Sequence, residues 1–156
     1  MHLVLLAAGK SQRIYKDLKK HKCLIKIKNK TLIDTISHNA KNEGIHKQTI
    51  ISGFKGSILK KKLNRHYKYI HNKYYQKYEM VYSILLALKN INDDLVISYT
   101  DIYYDPKIFN KIFNLNLQNI TVPINSEWEK IWNIRKKDIF EDAETLKIKE
   151  NRIIEI

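Results

Sequence analysis

The sequence predicts an α/β fold built around a largely parallel sheet. Short apolar runs that end at Gly, Thr-Asp or Ser read as buried strands: His2–Ala7, Thr49–Ser52 and Leu95–Tyr99. Stretches with apolar residues at helical spacing separate them. Strand and helix signals alternate from His2 to Ile124, the pattern of parallel strands joined by right-handed crossovers.

The bulk properties agree with a folded domain. A chain of 156 residues with 44% hydrophobic content can form one domain, 1–156, with its own core. Four glycines and two prolines leave no disordered linker. No run approaches the ~18 apolar residues of a membrane span. The N-terminus lacks a basic leader region and Gly9-Lys10 interrupts its apolar run, so a cytoplasmic protein is expected. The lone Cys23 excludes an intrachain disulfide. Lys22 beside it could lower its pKa, but a small apolar residue entering a strand is the simpler reading. A formal charge of +13 favours anionic partners. The lysines are dispersed, however, at Lys16, Lys41, Lys60, Lys89, Lys111 and Lys136, which selects no particular ligand and speaks against nucleic acid.

Each element has its own signal. His2–Ala7 is a continuous apolar run closed by Gly9. Residues 9–22 are charged and aperiodic, a long functional loop. Leu24 to Lys28 is a brief extended piece, followed by a turn at Asn29-Lys30. Thr31 is suited to N-cap a helix, with Asp34 as its capping partner. Leu32, Ile33, Ile36 and Ala40 give that helix one apolar face, and Gly44 its terminator. After Thr49–Ser52, residues 57–65 read as a basic helix with Ile58, Leu59 and Leu63 inward. Tyr67–Ile70 is a third strand and 74–78 a tyrosine-rich connection. Met80, Val81, Ile84, Leu85 and Leu88 form a wide stripe predicted to face the core. Leu95–Tyr99 ends at Thr100-Asp101. Asp105 and Pro106 read as N-cap and first residue of a helix with Ile108, Ile112 and Phe113 inward. Ile120–Ile124 reads as a fifth strand, near an edge because of Pro123. Two short strand candidates, 145–148 and 152–156, close the chain.

Ligands of such sheets bind at the carboxyl ends of the strands. The Gly9 loop and Asp101 are both strand-terminal, so they are expected on one edge. Backbone N–H groups around Gly9 can cradle phosphate oxygens, and Lys10, Arg13 and Lys22 add charge. By spacing alone this is evenly balanced against a solvated basic loop, since neither a Walker A pattern nor G-x-G-x-x-G is present. Asp101 suits a metal ligand and also suits a simple strand terminator. Trp128 and Trp132, at i and i+4, read first as packing residues and second as a cation–π wall. Asp142 and Glu144 fit a solvated acidic turn as well as a site for a cation. The histidines show no metal-ligand spacing.

The residues themselves add a resemblance. Leu6-Ala7-Ala8-Gly9-Lys10-Ser11-Gln12-Arg13, then Lys22, resembles the nucleotidyltransferase signature L-A-A-G-x-G-x-R followed by P-K. This is the family of sugar-nucleotide pyrophosphorylases and MobA-like NTP transferases. Met80-Val81-Tyr82-Ser83 is similar to the family's N-M-V-Y-S helix start, and Thr100-Asp101 to its G-D. Trp128, Trp132, Asp142-Ala143-Glu144 and Ile153-Ile154-Glu155-Ile156 resemble the branch of phosphocholine and phosphonate cytidylyltransferases. The likeness spans essentially the whole chain.

That resemblance implies a Rossmann-like three-layer α/β/α fold. It implies transfer of a nucleoside monophosphate, with CTP the favoured donor, to a small phosphorylated or phosphonate acceptor with release of pyrophosphate. Leu6, Ala7, Ala8, Gly9, Lys10, Ser11 and Ser83 would contact the nucleotide. Arg13 and Lys22 would be catalytic, holding phosphates, and Asp101 would bind Mg²⁺. Trp128, Asp142 and Glu144 would meet the acceptor. Both reactants are anions, so cations must offset their repulsion, and Mg²⁺ needs only one or two protein carboxylates beside phosphate oxygens. Transfer to a sugar 1-phosphate, a non-catalytic nucleotide-binding relative and a basic nucleic-acid-binding module are the alternatives.

Four positions depart from the pattern. Ser11 stands for the second glycine, acceptable where its backbone avoids positive φ. His21 stands for proline, Thr100 for glycine and Glu79 for an amide that can donate. Family members usually continue past the I-x-E-I strand. The expectation is therefore a chain short of its acceptor part, with a second copy or a complementing chain as a possible source of it.

Overall fold

The computed structural model describes residues 1–11, 20–63, 67–115, 120–135, 138–140 and 146–155. The chain forms two compact units, Met1–Leu115 and Asn116–Ile156.

The first unit is a parallel sheet with helices on both faces. Strand β1, His2–Ala7, lies at its centre. It pairs in parallel with β4, Gln48–Ser52, through Leu5 opposite Ile50. On its other side it pairs with β6, Leu95–Tyr99, through Leu5 opposite Ser98. Strand β5, Lys68–His71, extends the sheet beyond β4. The strand order is β5-β4-β1-β6. Chain order thus runs outward from β1 to β5 and then jumps to β6 on the opposite flank. The reversal falls between β1 and β6, the place where open α/β sheets form a ligand crevice.

Alternation along β1 explains the layers. Leu3, Leu5 and Ala7 enter the larger core with Ile33, Ile36, Leu59, Leu63 and Phe109. Val4 enters a smaller core with Ile51 and Ala87 on the other face. Helix α1, Leu32–Asn42, starts where the sequence indicates. The Asp34 N–H donates to Thr31 Oγ1 at 3.1 Å and the Thr31 hydroxyl donates to Asp34 Oδ2 at 2.6 Å. Its end is a Schellman motif: the Gly44 N–H donates to Lys41 O and the Ile45 N–H to Ala40 O. Gly44 has φ 87°, which glycine adopts without strain. Ahead of α1, a 3₁₀ turn at Lys22–Leu24 and a small hairpin complete the entry. The hairpin pairs β2, Lys26–Ile27, with β3, Lys30–Thr31.

Several expectations need correction. Helix α2 spans only Gly56–Lys62, and while Leu59 and Leu63 are buried, Ile58 is exposed. The two leucines are one helical turn apart and take the inward face, which rotates Ile58 out. Helix α3, Met80–Asn90, buries Ser83 and Ala87. Val81, Leu85 and Leu88, predicted to face the core, are 61%, 55% and 57% exposed. This helix is apolar on two faces, and the sheet accepts the one whose small residues allow close approach. Helix α4, Lys107–Phe113, buries Phe109 beneath Tyr104, whereas Phe113 is exposed. Its N-cap is Pro106, one residue later than expected, and Asp105 just ahead of it accepts from the Lys107 N–H at 2.9 Å.

The second unit contains helix α5, Trp128–Arg135, and an antiparallel hairpin of β7, Lys147–Lys149, with β8, Arg152–Glu155. Trp128 meets Trp132 and Phe140 edge-to-face, with ring centroids 6.4 and 6.2 Å apart. The predicted strand at Ile120–Ile124 does not form: these residues pair with no strand, and Ile120 is 95% exposed. Extended β-propensity needs a neighbouring strand to become a sheet. Among the described residues, no helix is long and apolar enough to cross a membrane.

Candidate active site

A cavity of about 280 Å³ opens at the carboxyl ends of β1 and β6. The chain leaving β1 forms its floor through Leu6, Ala7, Ala8, Gly9 and Ser11. The backbone turns sharply here, and Ser11 has φ 51°. The condition under which serine would stand there without strain, a backbone clear of positive φ, is therefore not met. A left-handed residue is needed where the family pattern has glycine, and the loop accepts the strain of a serine. The Ser11 Oγ accepts a long 3.5 Å contact from the Lys22 N–H.

A second constraint comes from Gly53, just after β4. Its position faces Ala8 O and Tyr75, and an added Cβ would stand 2.6 Å from the former and 2.7 Å from the latter. The Phe54 N–H donates to Ala8 O at 3.0 Å. The loop after β1 is thus pinned against the end of β4, and only glycine permits that approach.

Asp101 and Lys22 reach the same cavity from opposite sides. The Thr100 hydroxyl donates to Leu6 O at 2.8 Å and ties the end of β6 to β1. Asp101 follows at once. The Lys22 Nζ donates to Asp101 Oδ2 at 3.2 Å, with both side chains about one-third exposed. The expected shared edge for the Gly9 loop and Asp101 is what the sheet produces. A half-solvated pair of this kind contributes only about 0–1 kcal/mol. Both groups are therefore free to exchange each other for a ligand cation and a ligand phosphate.

The neighbours of Lys22 add no competing charge. His21 is buried beside it and its ring meets Phe54 at 5.8 Å. Burial, helped by Lys55 and Lys62, pushes its pKa below the ordinary value, so it stays neutral. Burial likewise pushes the Cys23 thiol up to about 12, with Asp101 and Asp34 adding to the rise. Lys22 does not activate it, and Cys23 is a core residue.

The remaining wall comes from the turn after β5 and the start of α3. Asn72 is fully buried. Its Nδ2 donates to Ser83 Oγ at 3.0 Å and its Oδ1 accepts from the Tyr74 N–H at 2.9 Å. Ser83 lines the cavity with Tyr75, Tyr78, Glu79 and Met80. Asn72 and the two tyrosines were missed in sequence. The available signal was an asparagine right after a strand, a residue that starts such turns.

Of the residues named from sequence, Leu6, Ala7, Ala8, Gly9, Ser11, Lys22, Ser83 and Asp101 all line this cavity. Lys10 is on the loop but is not among the lining residues. Arg13, Asp142 and Glu144 lie outside the described residues. Trp128 belongs to the second unit. Among the described residues, no group of three or more acidic, histidine or cysteine side chains is gathered for a metal. A single carboxylate at Asp101 still fits a cation that takes most of its oxygens from phosphate and water.

Comparison with known proteins identifies the family and the fold. The chain is 34% identical to CTP:phosphoglutamine cytidylyltransferase of Campylobacter jejuni, over all of its own length and 65% of that protein's. It thus spans just under two thirds of this relative. Among solved structures, a nucleotidyl transferase from Methanothermobacter superposes with TM-score 0.60 at 18% identity, covering 71% of this chain and 55% of the other. CTP:phosphocholine cytidylyltransferase from Streptococcus pneumoniae superposes with TM-score 0.52 at 24% identity, covering 64% and 44%. These likenesses establish the Rossmann-like fold. The sequence profile of the MobA-like NTP transferase domain matches residues 3–154, and the chain belongs to that family.

Proposed function

We propose that this chain carries the nucleotide-binding site of a Mg²⁺-dependent cytidylyltransferase. It would move CMP from CTP to a small phosphorylated acceptor of the class named for the Campylobacter relative. The observation that supports this most is one cavity bounded by Ala8, Gly9, Ser11, Lys22 and Asp101 at the sheet's switch point. An acceptor oxygen attacks the α-phosphorus of the triphosphate, its bond to the bridging oxygen breaks, and pyrophosphate leaves. No protein nucleophile is required. The backbone N–H groups near Gly9 orient the nucleotide, and Lys22 offsets charge that develops on the phosphates. Arg13 would add a second cation and Lys10 would flank the loop. Asp101 would hold Mg²⁺, which when bound neutralises phosphate charge. Trp128, Asp142 and Glu144 are proposed to meet the acceptor. A cytoplasmic location and association with a second copy or a complementing chain belong to the same proposal.

Two measurements separate its parts. Calorimetric titration of CTP with Mg²⁺ tests the nucleotide half, and Asp101→Asn should lose the Mg²⁺-dependent part of that binding. Pyrophosphate release, assayed with CTP, UTP, GTP and ATP against phosphocholine, phosphorylated glutamine, a phosphonate and a sugar 1-phosphate, tests turnover. Absence of both binding and turnover in the folded chain would sink the proposal.

A further inference from the structure

We propose that Thr100 is the positioning residue for Asp101: its hydroxyl fastens the end of β6 to β1 and so holds the Asp101 carboxylate where a divalent cation would bind. The inference rests on the Mg²⁺-nucleotide reading of the cavity and names the bond that preorganises its metal side.

Strand β6 is the edge of the sheet, so among the described strands β1 alone holds it. The backbone ladder between the two ends at Leu6 opposite Tyr99. Asp101 lies two residues past that pair, in chain that belongs to no strand or helix. The end of an edge strand frays unless something continues its pairing. The Thr100 hydroxyl does so by donating to Leu6 O at 2.8 Å. Thr100 is only 5% exposed, which shields that bond from competing water. Glycine, which the related pattern has here, could not supply it, so the tie belongs to this chain's own threonine.

The carboxylate's own contact does not fix it. Asp101 Oδ2 accepts from Lys22 Nζ at 3.2 Å across a partly solvated pair, which is weak, and Lys22 is itself assigned to phosphate. The far end of the loop has a separate anchor. Ser98 Oγ and Tyr104 OH lie 2.9 Å apart, and the Tyr104 ring meets the buried Phe109 edge-on, with centroids 5.7 Å apart. That anchor is three residues beyond Asp101, whereas Thr100 is adjacent to it. The backbone that aims the carboxylate is therefore set by the Thr100 bond. A ligand held in place before the metal arrives loses less freedom on binding, and partners that orient such a ligand govern metal affinity.

The test is calorimetric titration of the full chain with CTP, with and without Mg²⁺, for the wild type, Thr100→Val and Thr100→Ser. Valine keeps the shape and removes the donor; serine keeps the donor. Circular dichroism melts confirm that the variants fold, and Thr100→Ala carries the same expectation should the valine variant not fold. In T100V the gain in CTP affinity that Mg²⁺ brings should fall about tenfold or more, while affinity without Mg²⁺ stays at the wild-type level. T100S should restore the gain. A wild-type gain in T100V overturns the assignment. So does equal weakening with and without Mg²⁺, which would mark a purely structural role, and so does a T100S that behaves like T100V. A wild type that binds CTP with no gain from Mg²⁺ overturns the metal role of Asp101, and one that binds no CTP overturns the nucleotide reading itself.

Discussion

Gly53→Ala probes the contact that shapes the nucleotide loop. The added methyl would stand 2.6 Å from Ala8 O, 2.7 Å from Tyr75 Cβ and 2.8 Å from Tyr75 Cγ, where ordinary contact begins at 3.4 Å. One partner must therefore retreat by about 0.8 Å. Neither is a flexible side-chain end. Ala8 O is backbone, held by the Phe54 N–H at 3.0 Å, and Tyr75 carries its ring against Phe54 at 6.3 Å. Gly53 is not at positive φ, so the cost is steric alone. Overpacking of this kind costs about 1–3 kcal/mol, which in a chain of this size lowers the Tm by about 2–12 °C. Because the displaced carbonyl belongs to the loop around Gly9, CTP affinity should fall in the same variant. Thermal melts followed by circular dichroism, with calorimetric CTP titration, measure both effects. A G53A protein with wild-type Tm and wild-type CTP affinity would refute the close approach and the role given to it.

Two further outcomes follow from the same geometry. Ser11 holds φ 51°, so Ser11→Gly should relieve strain and stabilise the fold by about 1 kcal/mol. Urea midpoints would show it, and a destabilised S11G would remove the strain argument. The second concerns acid. Burial lowers the folded-state pKa of His2, opposed by Asp93, and of His21, below the ordinary 6.5. The unfolded chain therefore takes up these protons first as pH drops. Stability should be full above pH 6.5 and decline as pH falls from there through the depressed folded values. Tm measured between pH 7.5 and 5 checks this, and His2→Gln and His21→Gln should flatten the profile. A Tm that rises on acidification would contradict it.

Local chemistry explains why much was legible in the sequence. A parallel strand covered on both faces must be apolar on both, so β1 and β4 stand out in the sequence; β6 has the same composition but forms an edge where Ile97 and Tyr99 are 39% and 49% exposed, and all three boundaries are correct within one residue. Thr31, Asp34 and Gly44 satisfy the ends of α1 by hydrogen bonds within a few residues, so its limits are written locally. The L-A-A-G run and Lys22 identify the loop because close backbone approach to phosphate restricts residue type.

Tertiary structure decided the rest, wherever the deciding neighbour is distant in sequence. Which face of α3 turns inward depended on how close the sheet lets a helix come, and Ser83 and Ala87 prevailed over Val81, Leu85 and Leu88. Ile120–Ile124 has strand composition but pairs with no strand. The site itself is a matter of placement. Lys22 and Asp101 are 79 positions apart, and only the β1–β6 pairing, fastened by Thr100 to Leu6, brings them to 3.2 Å. Asn72 and Ser83, 11 positions apart, meet at 3.0 Å on the wall of the same cavity only because the turn after β5 brings α3 back over the sheet. Residue type sets what each group can do chemically. Strand order sets which groups meet, because hydrogen bonds between strands join segments whose separation along the chain carries no local trace.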